Sequence, residues 1–192
     1  ILQLYRGYAN EQELIVMGHV LKREQNYNFE KRKLKNVTSI LKLFRIKTIQ
    51  NFDVYLHYNN EIIHTKTLDD GYFKFCIPLE KETHFGWMPY EVSLKYENKT
   101  TICKGSFIRP HKGTLGIISD IDDTFLISHT NNFFRKLYIL LFKNVNDRKV
   151  FKDVVPHYQA LSSAGRDSIE EVNAFFYISS SEWNLYRFIV KV

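Results

Sequence analysis

Gly116-Ile-Ile-Ser-Asp-Ile-Asp-Asp-Thr-Phe-Leu126 is an apolar run that ends in an Asp-x-Asp-x-Thr cluster. The run from Leu115 to Ile118 has no polar alternation, which is typical of a strand covered on both faces of a parallel α/β sheet. Ligands gather beyond the carboxyl ends of such strands. Three acids within four positions repel one another, so a bound cation and an incoming phosphate would make the cluster favourable. The sequence therefore predicts an α/β domain with a ligand site at this strand end.

A second apolar strand is predicted at Ala174-Phe-Phe-Tyr-Ile178, and Ser179-Ser180-Ser181 follows it directly. Between the two strands, residues 131–142 and 154–163 have helical patterns, and Gly165 is placed to end the second helix. The order of strand, helices and strand continues the α/β pattern of this part of the chain.

Residues 1–110 are predicted to form a β-sandwich-like N-terminal domain. Short runs rich in β-branched and aromatic residues alternate there with turn residues such as Asn59-Asn60 and Asp69-Asp70-Gly71. The predicted strands are residues 14–21, 52–58, 61–67, 72–77, 90–96 and 100–108. Proline and glycine interrupt the pattern at Arg109-Pro-His-Lys-Gly113, which predicts a domain boundary near residue 110.

One segment of this domain has a different pattern. Residues 31–47 contain seven basic residues and no acid, while Leu34, Val37, Leu41 and Phe44 recur at helical spacing. The segment is predicted to be a basic amphipathic helix. Two roles are open for it: a solvated helix that rests on the β domain, and a helix that docks on an anionic membrane surface.

Composition limits the partners and the location of the protein. The chain has 192 residues, a net charge of +6 and a pI near 9.2, which favours polyanionic partners. It contains no nucleic-acid motif and no run of about 20 apolar residues, so neither nucleic acid nor a membrane-spanning helix is expected. Cys76 and Cys103 lack metal or disulfide spacing and are predicted to be free, buried thiols. We expect a cytoplasmic protein, with peripheral membrane contact left open. Because the chain begins with Ile1, its native N-terminus is expected to lie earlier.

The two strand-end motifs are similar, in order, residue type and spacing, to the first two motifs of the haloacid dehalogenase superfamily of phosphohydrolases. Within that superfamily, Ser119-Asp-Ile-Asp-Asp-Thr124 and Asn173-Ala-Phe-Phe-Tyr-Ile-Ser-Ser-Ser-Glu-Trp-Asn-Leu-Tyr186 closely resemble the actin-patch phosphatidate phosphatase family. The resemblance spans most of residues 112–192. It extends more loosely to three N-terminal segments, Tyr5-Arg-Gly-Tyr8, Gly18-His-Val-Leu21 and Thr67-Leu-Asp-Asp-Gly-Tyr-Phe73.

The resemblance implies an incomplete α/β haloacid dehalogenase-like (Rossmann-type) domain at residues 111–192, preceded by the mostly β domain. It implies that Asp120 is a nucleophile that forms an aspartyl-phosphate, and that Asp122 is the general acid and base. Mg²⁺ would bind the Asp120 carboxylate and the backbone carbonyl of Asp122. Ser179 would donate a hydrogen bond to the transferring phosphoryl group.

The same resemblance assigns Asp123, Thr124, Ser180 and Asn184 to the substrate and the loops around it. Family members also carry a lysine and further metal-binding acids after the second motif, and this chain ends at Val192 before them. The resemblance therefore implies a C-terminally truncated catalytic domain that is inactive by itself.

Two main functions follow from these expectations. The first is a Mg²⁺-dependent phosphatase that converts phosphatidate, or another phosphomonoester, to an alcohol and phosphate. The second is a module that binds phosphatidate or phosphate, or senses lipid, without turnover. The β domain would support the catalytic part, and an interaction with protein or carbohydrate is an open alternative for it.

Overall fold

The computed structural model describes residues 1–22, 47–79, 84–120, 154–165 and 171–178, together with Trp183, Tyr186 and Val190. The chain divides into two compact units. Unit 1 consists of residues 1–24 and 47–114, and unit 2 consists of residues 25–46 and 115–192. The predicted helix at 131–142 lies outside the described residues, and so does the basic helix near 31–47 except for Lys47.

The described part of unit 1 is a single sheet of eight strands. The strands are β1 (Leu2–Leu4), β2 (Gly7–Ala9), β3 (Glu13–Val20), β4 (Asp53–Tyr58), β5 (Glu61–Lys66), β6 (Tyr72–Pro78), β7 (Gly86–Tyr96) and β8 (Lys99–Arg109). Their order is β1-β3-β2-β8-β7-β4-β5, and β6 pairs with β3. All these pairs are antiparallel except β2 with β8. Hydrogen bonding thus links the strands into one sheet, and a sandwich of two sheets stays a prediction.

Each of the six runs predicted from the sequence forms a strand, and β7 begins earlier than expected, at Gly86. Between β4 and β5, Asn59 and Asn60 adopt φ values of 49° and 63°. Positive φ at both central residues is what a two-residue hairpin turn requires, and asparagine tolerates it well. β1 and β2 were not predicted, because three residues are too few to show an alternating pattern.

The core of unit 1 lies on one face of the strands, since alternate residues point to opposite faces. In β6, Phe73, Phe75 and Ile77 are buried while Lys74 and Cys76 are exposed. The same alternation contributes buried residues from the neighbouring strands, among them Leu14, Val16, Val54, Leu56, Val92, Leu94 and Phe107. Both cysteines are free, as predicted, but the expectation that both are buried is wrong, because Cys76 lies on the exposed face of β6.

The described part of unit 2 contains β9 (Gly116–Asp120), β10 (Ala174–Ile178) and one helix, α1 (Val154–Ser163). α1 has the bounds predicted from the sequence, and Gly165 follows it with a φ of 69°, the conformation that commonly ends helices. In the described part of the chain, no helix combines the length and the apolarity that crossing a membrane requires.

The predicted fold class, an α/β haloacid dehalogenase-like (Rossmann-type) domain, is wrong. The described residues form a β-rich fold with one large sheet, and they contain a single helix. A Rossmann-type domain needs helices on both faces of a parallel sheet. Parallel pairing here is limited to β9 with β10 and a short contact of β2 with β8. The expectation of strands covered on both faces also fails, because Ile118 is 67% exposed and Ile178 is 56% exposed.

His19 lies where three distant segments of unit 1 meet. Its buried ring shares a hydrogen bond of 2.7 Å between Nδ1 and the hydroxyl of Tyr5. The ring of Tyr72 meets it edge-on, with centroids 5.4 Å apart, and Asp70 Oδ2 lies 4.0 Å from its Nε2. These residues come from the three N-terminal segments that carry the looser family resemblance. The structure gives those segments a shared structural role within unit 1.

Burial makes the stability of unit 1 sensitive to pH through His19. Burial lowers the pKa of His19, and the Asp70 carboxylate acts in the opposite direction. The unfolded chain therefore binds a proton at His19 more readily than the folded chain does. The unfolding free energy should fall as the pH drops from about 6.5 towards the lowered pKa of His19 in the folded state. In His19→Gln, urea unfolding should show a flatter pH dependence between about pH 7 and pH 5. Equal slopes in His19→Gln and wild type would contradict the assignment.

Candidate functional site

The candidate site lies at the carboxyl ends of the parallel strands β9 and β10. Their register places Gly116 opposite Ala174 and Asp120 opposite Ile178. The two strands therefore run side by side and end at the same edge of this two-stranded sheet. This is the geometry in which open parallel sheets bind ligands.

Asp120 is the last residue of β9, and its side chain is exposed. It is the one predicted site residue within the part of the chain that the structure describes. The remaining predicted site residues lie outside the described residues: Asp122, Asp123, Thr124, Ser179, Ser180 and Asn184. The structure thus brings Asp120 to the expected strand end and leaves the other assignments as predictions.

A buried asparagine, Asn173, connects the start of both strands to the end of α1. Its side-chain Oδ1 accepts a hydrogen bond of 3.0 Å from the backbone N–H of Leu115. Its Nδ2 donates to the carbonyls of Leu161 at 2.9 Å and Ala164 at 3.0 Å. Its own backbone N–H donates to the carbonyl of Ser162 at 2.8 Å. One side chain therefore satisfies carbonyls that the helix end leaves without an intrahelical partner and fixes where β9 begins.

A pair of hydroxyl groups supports the end of β9. Ser119 is buried, and its Oγ donates to the backbone carbonyl of Asp120 at 3.0 Å. Ser119 Oγ is also hydrogen-bonded to the hydroxyl of Tyr158 in α1. A serine has one hydroxyl proton, and a carbonyl can only accept, so Tyr158 donates to Ser119. The chain of bonds runs from the helix to the peptide group that follows Asp120.

Aromatic packing holds α1 against one face of the strand pair. The ring of Tyr158 stacks on Phe175, with centroids 5.3 Å apart and an interplanar angle of 25°. Phe175 in turn stacks on Tyr177, two residues further along β10, at 6.1 Å. Ser119 lies opposite Tyr177 in the sheet register, which places it beneath the same helix. The opposite face of the strand pair carries Asp120, so the carboxylate does not compete with this packing.

Metal binding at this site would have to involve residues beyond those described. Among the described residues, no group of three histidine, cysteine, aspartate or glutamate side chains is arranged to hold a metal ion. Asp120 offers one exposed carboxylate, at the end of β9. Mg²⁺ uses one or two carboxylates and completes its shell with waters and phosphate oxygens, so this carboxylate fits as one ligand.

Asn173, Ser119 and Tyr158 were not predicted to support the site. Asn173 and Ser119 lay inside the quoted motifs, but a single polar residue beside an apolar strand carries no periodic signal. Tyr158 lies in a helix of mixed composition, and only the fold shows that its hydroxyl reaches β9. Asn173 and Ser119 lie beside apolar residues in the sequence, and both are buried in the structure. Because buried polar groups need hydrogen-bond partners, this placement was the one sequence feature that could have identified them as supporting residues.

A comparison with protein-family models covers the segment that contains this strand pair and helix. The matched residues are 115–192. The matching family is described as phosphatidate phosphatase APP1, catalytic domain. The family resemblance inferred from the sequence is thereby confirmed for this segment. A comparison with curated proteins finds no match.

Removing the Asn173 side chain should destabilise the segment that matches the APP1 catalytic domain. Asn173→Ala leaves two carbonyls and one N–H without their partner, which should cost about 2–3 kcal/mol of unfolding free energy. Asn173→Asp keeps an acceptor for Leu115 but sets a carboxylate against two carbonyls, so it should be less stable than the alanine variant. Urea unfolding measures both. Ser163→Ala, at an exposed serine in α1, should stay within about 0.5 kcal/mol of wild type, and a similar value for Asn173→Ala would refute the role.

The bond between Tyr158 and Ser119 should appear as an energetic coupling. Tyr158→Phe keeps the ring stack on Phe175 and removes only the hydroxyl. A double-mutant cycle with Ser119→Ala should give a coupling energy of about 1 kcal/mol in urea unfolding. Additive effects of the two substitutions would show that the two hydroxyls do not support each other.

Proposed function

We propose that the chain forms part of a Mg²⁺-dependent phosphatase that hydrolyses phosphatidate to diacylglycerol and phosphate. The match of residues 115–192 to the APP1 catalytic domain supports this activity. The exposed carboxylate of Asp120 at the end of a parallel strand supports its part in the chemistry. The match is the observation that carries the proposal.

In the proposed mechanism, the Asp120 carboxylate attacks the phosphorus atom. A bond forms between Asp120 and phosphorus, and the bond from phosphorus to the glycerol oxygen breaks. Asp122 gives its proton to the leaving alkoxide, which departs as diacylglycerol. Asp122 then accepts a proton from a water molecule that attacks the aspartyl-phosphate, releasing phosphate and restoring both acids. When bound, Mg²⁺ would neutralise phosphate charge beside Asp120 and the backbone carbonyl of Asp122.

The surroundings of Asp120 suit this role. A nucleophile gains from being held in one position before the reaction, because a misplaced group loses much of its advantage. The peptide that follows Asp120 is held by Ser119, which is held in turn by Tyr158. In the proposal, Ser179 binds the phosphoryl oxygen, while Asp123, Thr124, Ser180 and Asn184 line the loops around the substrate.

The location and the membrane contact are part of the proposal. We place the protein in the cytoplasm, with peripheral contact to anionic membranes, where a phospholipid substrate resides. The free thiols of Cys76 and Cys103 are compatible with a reducing compartment. The positive net charge favours an anionic surface.

Replacing the proposed nucleophile tests this function. In the purified full-length protein, Asp120→Asn should lower turnover of phosphatidate in mixed micelles and of a soluble phosphomonoester by at least about 10³-fold. Asp69→Asn, at an exposed acid of unit 1, should leave both rates unchanged. Removing divalent cations with a chelator should abolish turnover, and adding Mg²⁺ should restore it. Wild-type turnover in Asp120→Asn would refute the nucleophile, and phosphatidate binding with no phosphate release by the wild type would favour a binding module.

A further inference from the structure

The backbone at the end of β9 is held by two different means. Asp120 and Ile178 are the last paired residues of the two strands, so the sheet fixes the backbone up to Asp120. The peptide group after Asp120 lies beyond this last pair, and its carbonyl accepts the hydrogen bond of 3.0 Å from Ser119 Oγ. The direction in which a side chain leaves the main chain depends on the peptide groups on both sides of its Cα atom. Ser119 therefore completes the fixation of the Asp120 side chain.

The two hydroxyl groups at this strand end form a chain with one direction. The proton of Ser119 is donated to the Asp120 carbonyl, and the Tyr158 hydroxyl donates to Ser119 Oγ. A serine hydroxyl can occupy three staggered positions, and the bond from Tyr158 favours the one that reaches the carbonyl. Both protons are used within the chain. The chain can therefore hold Asp120 in place but cannot pass a proton to its carboxylate.

The hydroxyl of Tyr158 is itself fixed by the packing of its ring. The ring stacks on Phe175, and it also faces Tyr177, with centroids 6.4 Å apart. Tyr177 lies opposite Ser119 in the strand register, so the ring is held directly above its hydrogen-bond partner. The end of α1, which carries Tyr158, is bonded to Asn173. Little freedom is left for the hydroxyl to move away from the strand end.

We propose that Tyr158 is a positioning residue of the candidate site, which acts through Ser119 to hold Asp120 in line for attack on phosphorus. The inference rests on the proposed function, in which the Asp120 carboxylate is the nucleophile. A nucleophile held at the reacting distance has a large advantage over one that must first be ordered, and a small displacement loses much of it. In the proposed mechanism other residues bind the phosphate. Loss of the Tyr158 hydroxyl should therefore lower kcat and leave KM unchanged.

Steady-state kinetics of the full-length protein with Mg²⁺ and a soluble phosphomonoester tests this role. Tyr158→Phe keeps the ring stack, and it should lower kcat by about tenfold while KM stays within about twofold of wild type. Ser119→Ala should lower kcat at least as much. Because Tyr158 acts through Ser119, the double variant should be no slower than Ser119→Ala alone. Multiplied losses of kcat in the double variant, or wild-type kcat in Tyr158→Phe, would overturn the proposal.

Two matched substitutions control for the loss of a hydroxyl elsewhere. Tyr96→Phe changes a tyrosine of β7 that is 56% exposed, and Ser163→Ala changes an exposed serine of α1. Both should keep the wild-type kcat, and thermal unfolding should confirm that every variant is folded at the assay temperature. A loss of kcat in the controls equal to that in Tyr158→Phe would refute a specific role for Tyr158.

The pH profile distinguishes positioning from proton transfer. Since the hydroxyl chain passes no proton to Asp120, kcat of Tyr158→Phe should be lowered by the same factor at every pH, and the profile should keep its shape. Loss of one limb of the profile in Tyr158→Phe would make Tyr158 an acid or base of the reaction, contrary to the proposal.

NMR relaxation separates this inference from the proposed function. In full-length protein labelled with ¹³C-aspartate, the Cβ resonance of Asp120 is assigned by its absence from Asp120→Asn. Its order parameter should fall in Tyr158→Phe and in Ser119→Ala, because the side chain becomes more mobile. If the wild type releases no phosphate but the order parameter falls, Tyr158 holds Asp120 and the phosphatase proposal fails. If Asp120→Asn abolishes turnover while Tyr158→Phe keeps the wild-type kcat and order parameter, the phosphatase stands and the positioning role is wrong.

Discussion

The hydrogen bonds of Asn173 are the constraint on which the described part of unit 2 depends. Its side-chain amide donates hydrogen bonds to two carbonyls at the end of α1 and accepts one from the N–H of the residue before β9. A two-stranded sheet is at best marginally stable by itself, so it needs a helix packed on it. Asn173 fixes where that helix ends relative to both strands, and the stack of Tyr158 on Phe175 then fills the contact. The position of Asp120 follows from these two anchors.

The elements of the fold were more predictable than their assembly. Alternation identified β6, and helical spacing together with Gly165 identified α1, because these signals are local. The apolar run at 115–118 located β9 correctly, yet it suggested a covered strand, and Ile118 is exposed. An apolar run reports that a strand forms but not how many strands or helices surround it, so the inferred α/β class was wrong.

The candidate site was predictable only in part, for a similar reason. The sequence placed Asp120 at a strand end, because a change from apolar to acidic residues is visible along the chain. It could not show that the hydroxyl of Tyr158 reaches Ser119, since these residues are far apart in the sequence. Their contact depends on the parallel pairing of β9 with β10 and on the packing of α1. A reactive residue can be recognised in the sequence by its chemical type and its neighbours. The residues that support it can be recognised only once the tertiary structure shows which side chains are in contact.

The parallel pairing of β2 with β8 has a consequence for how unit 1 folds. Gly7 pairs with Phe107, so one of the first strands of the chain lies between β3 and one of the last strands of the unit. During synthesis, the edges of β2 and β3 are available well before β8 exists. Contacts between residues so distant in sequence require a large loop to close and form slowly. Unit 1 can therefore complete its sheet only after β8 has emerged, immediately before the segment that carries Asp120 is made.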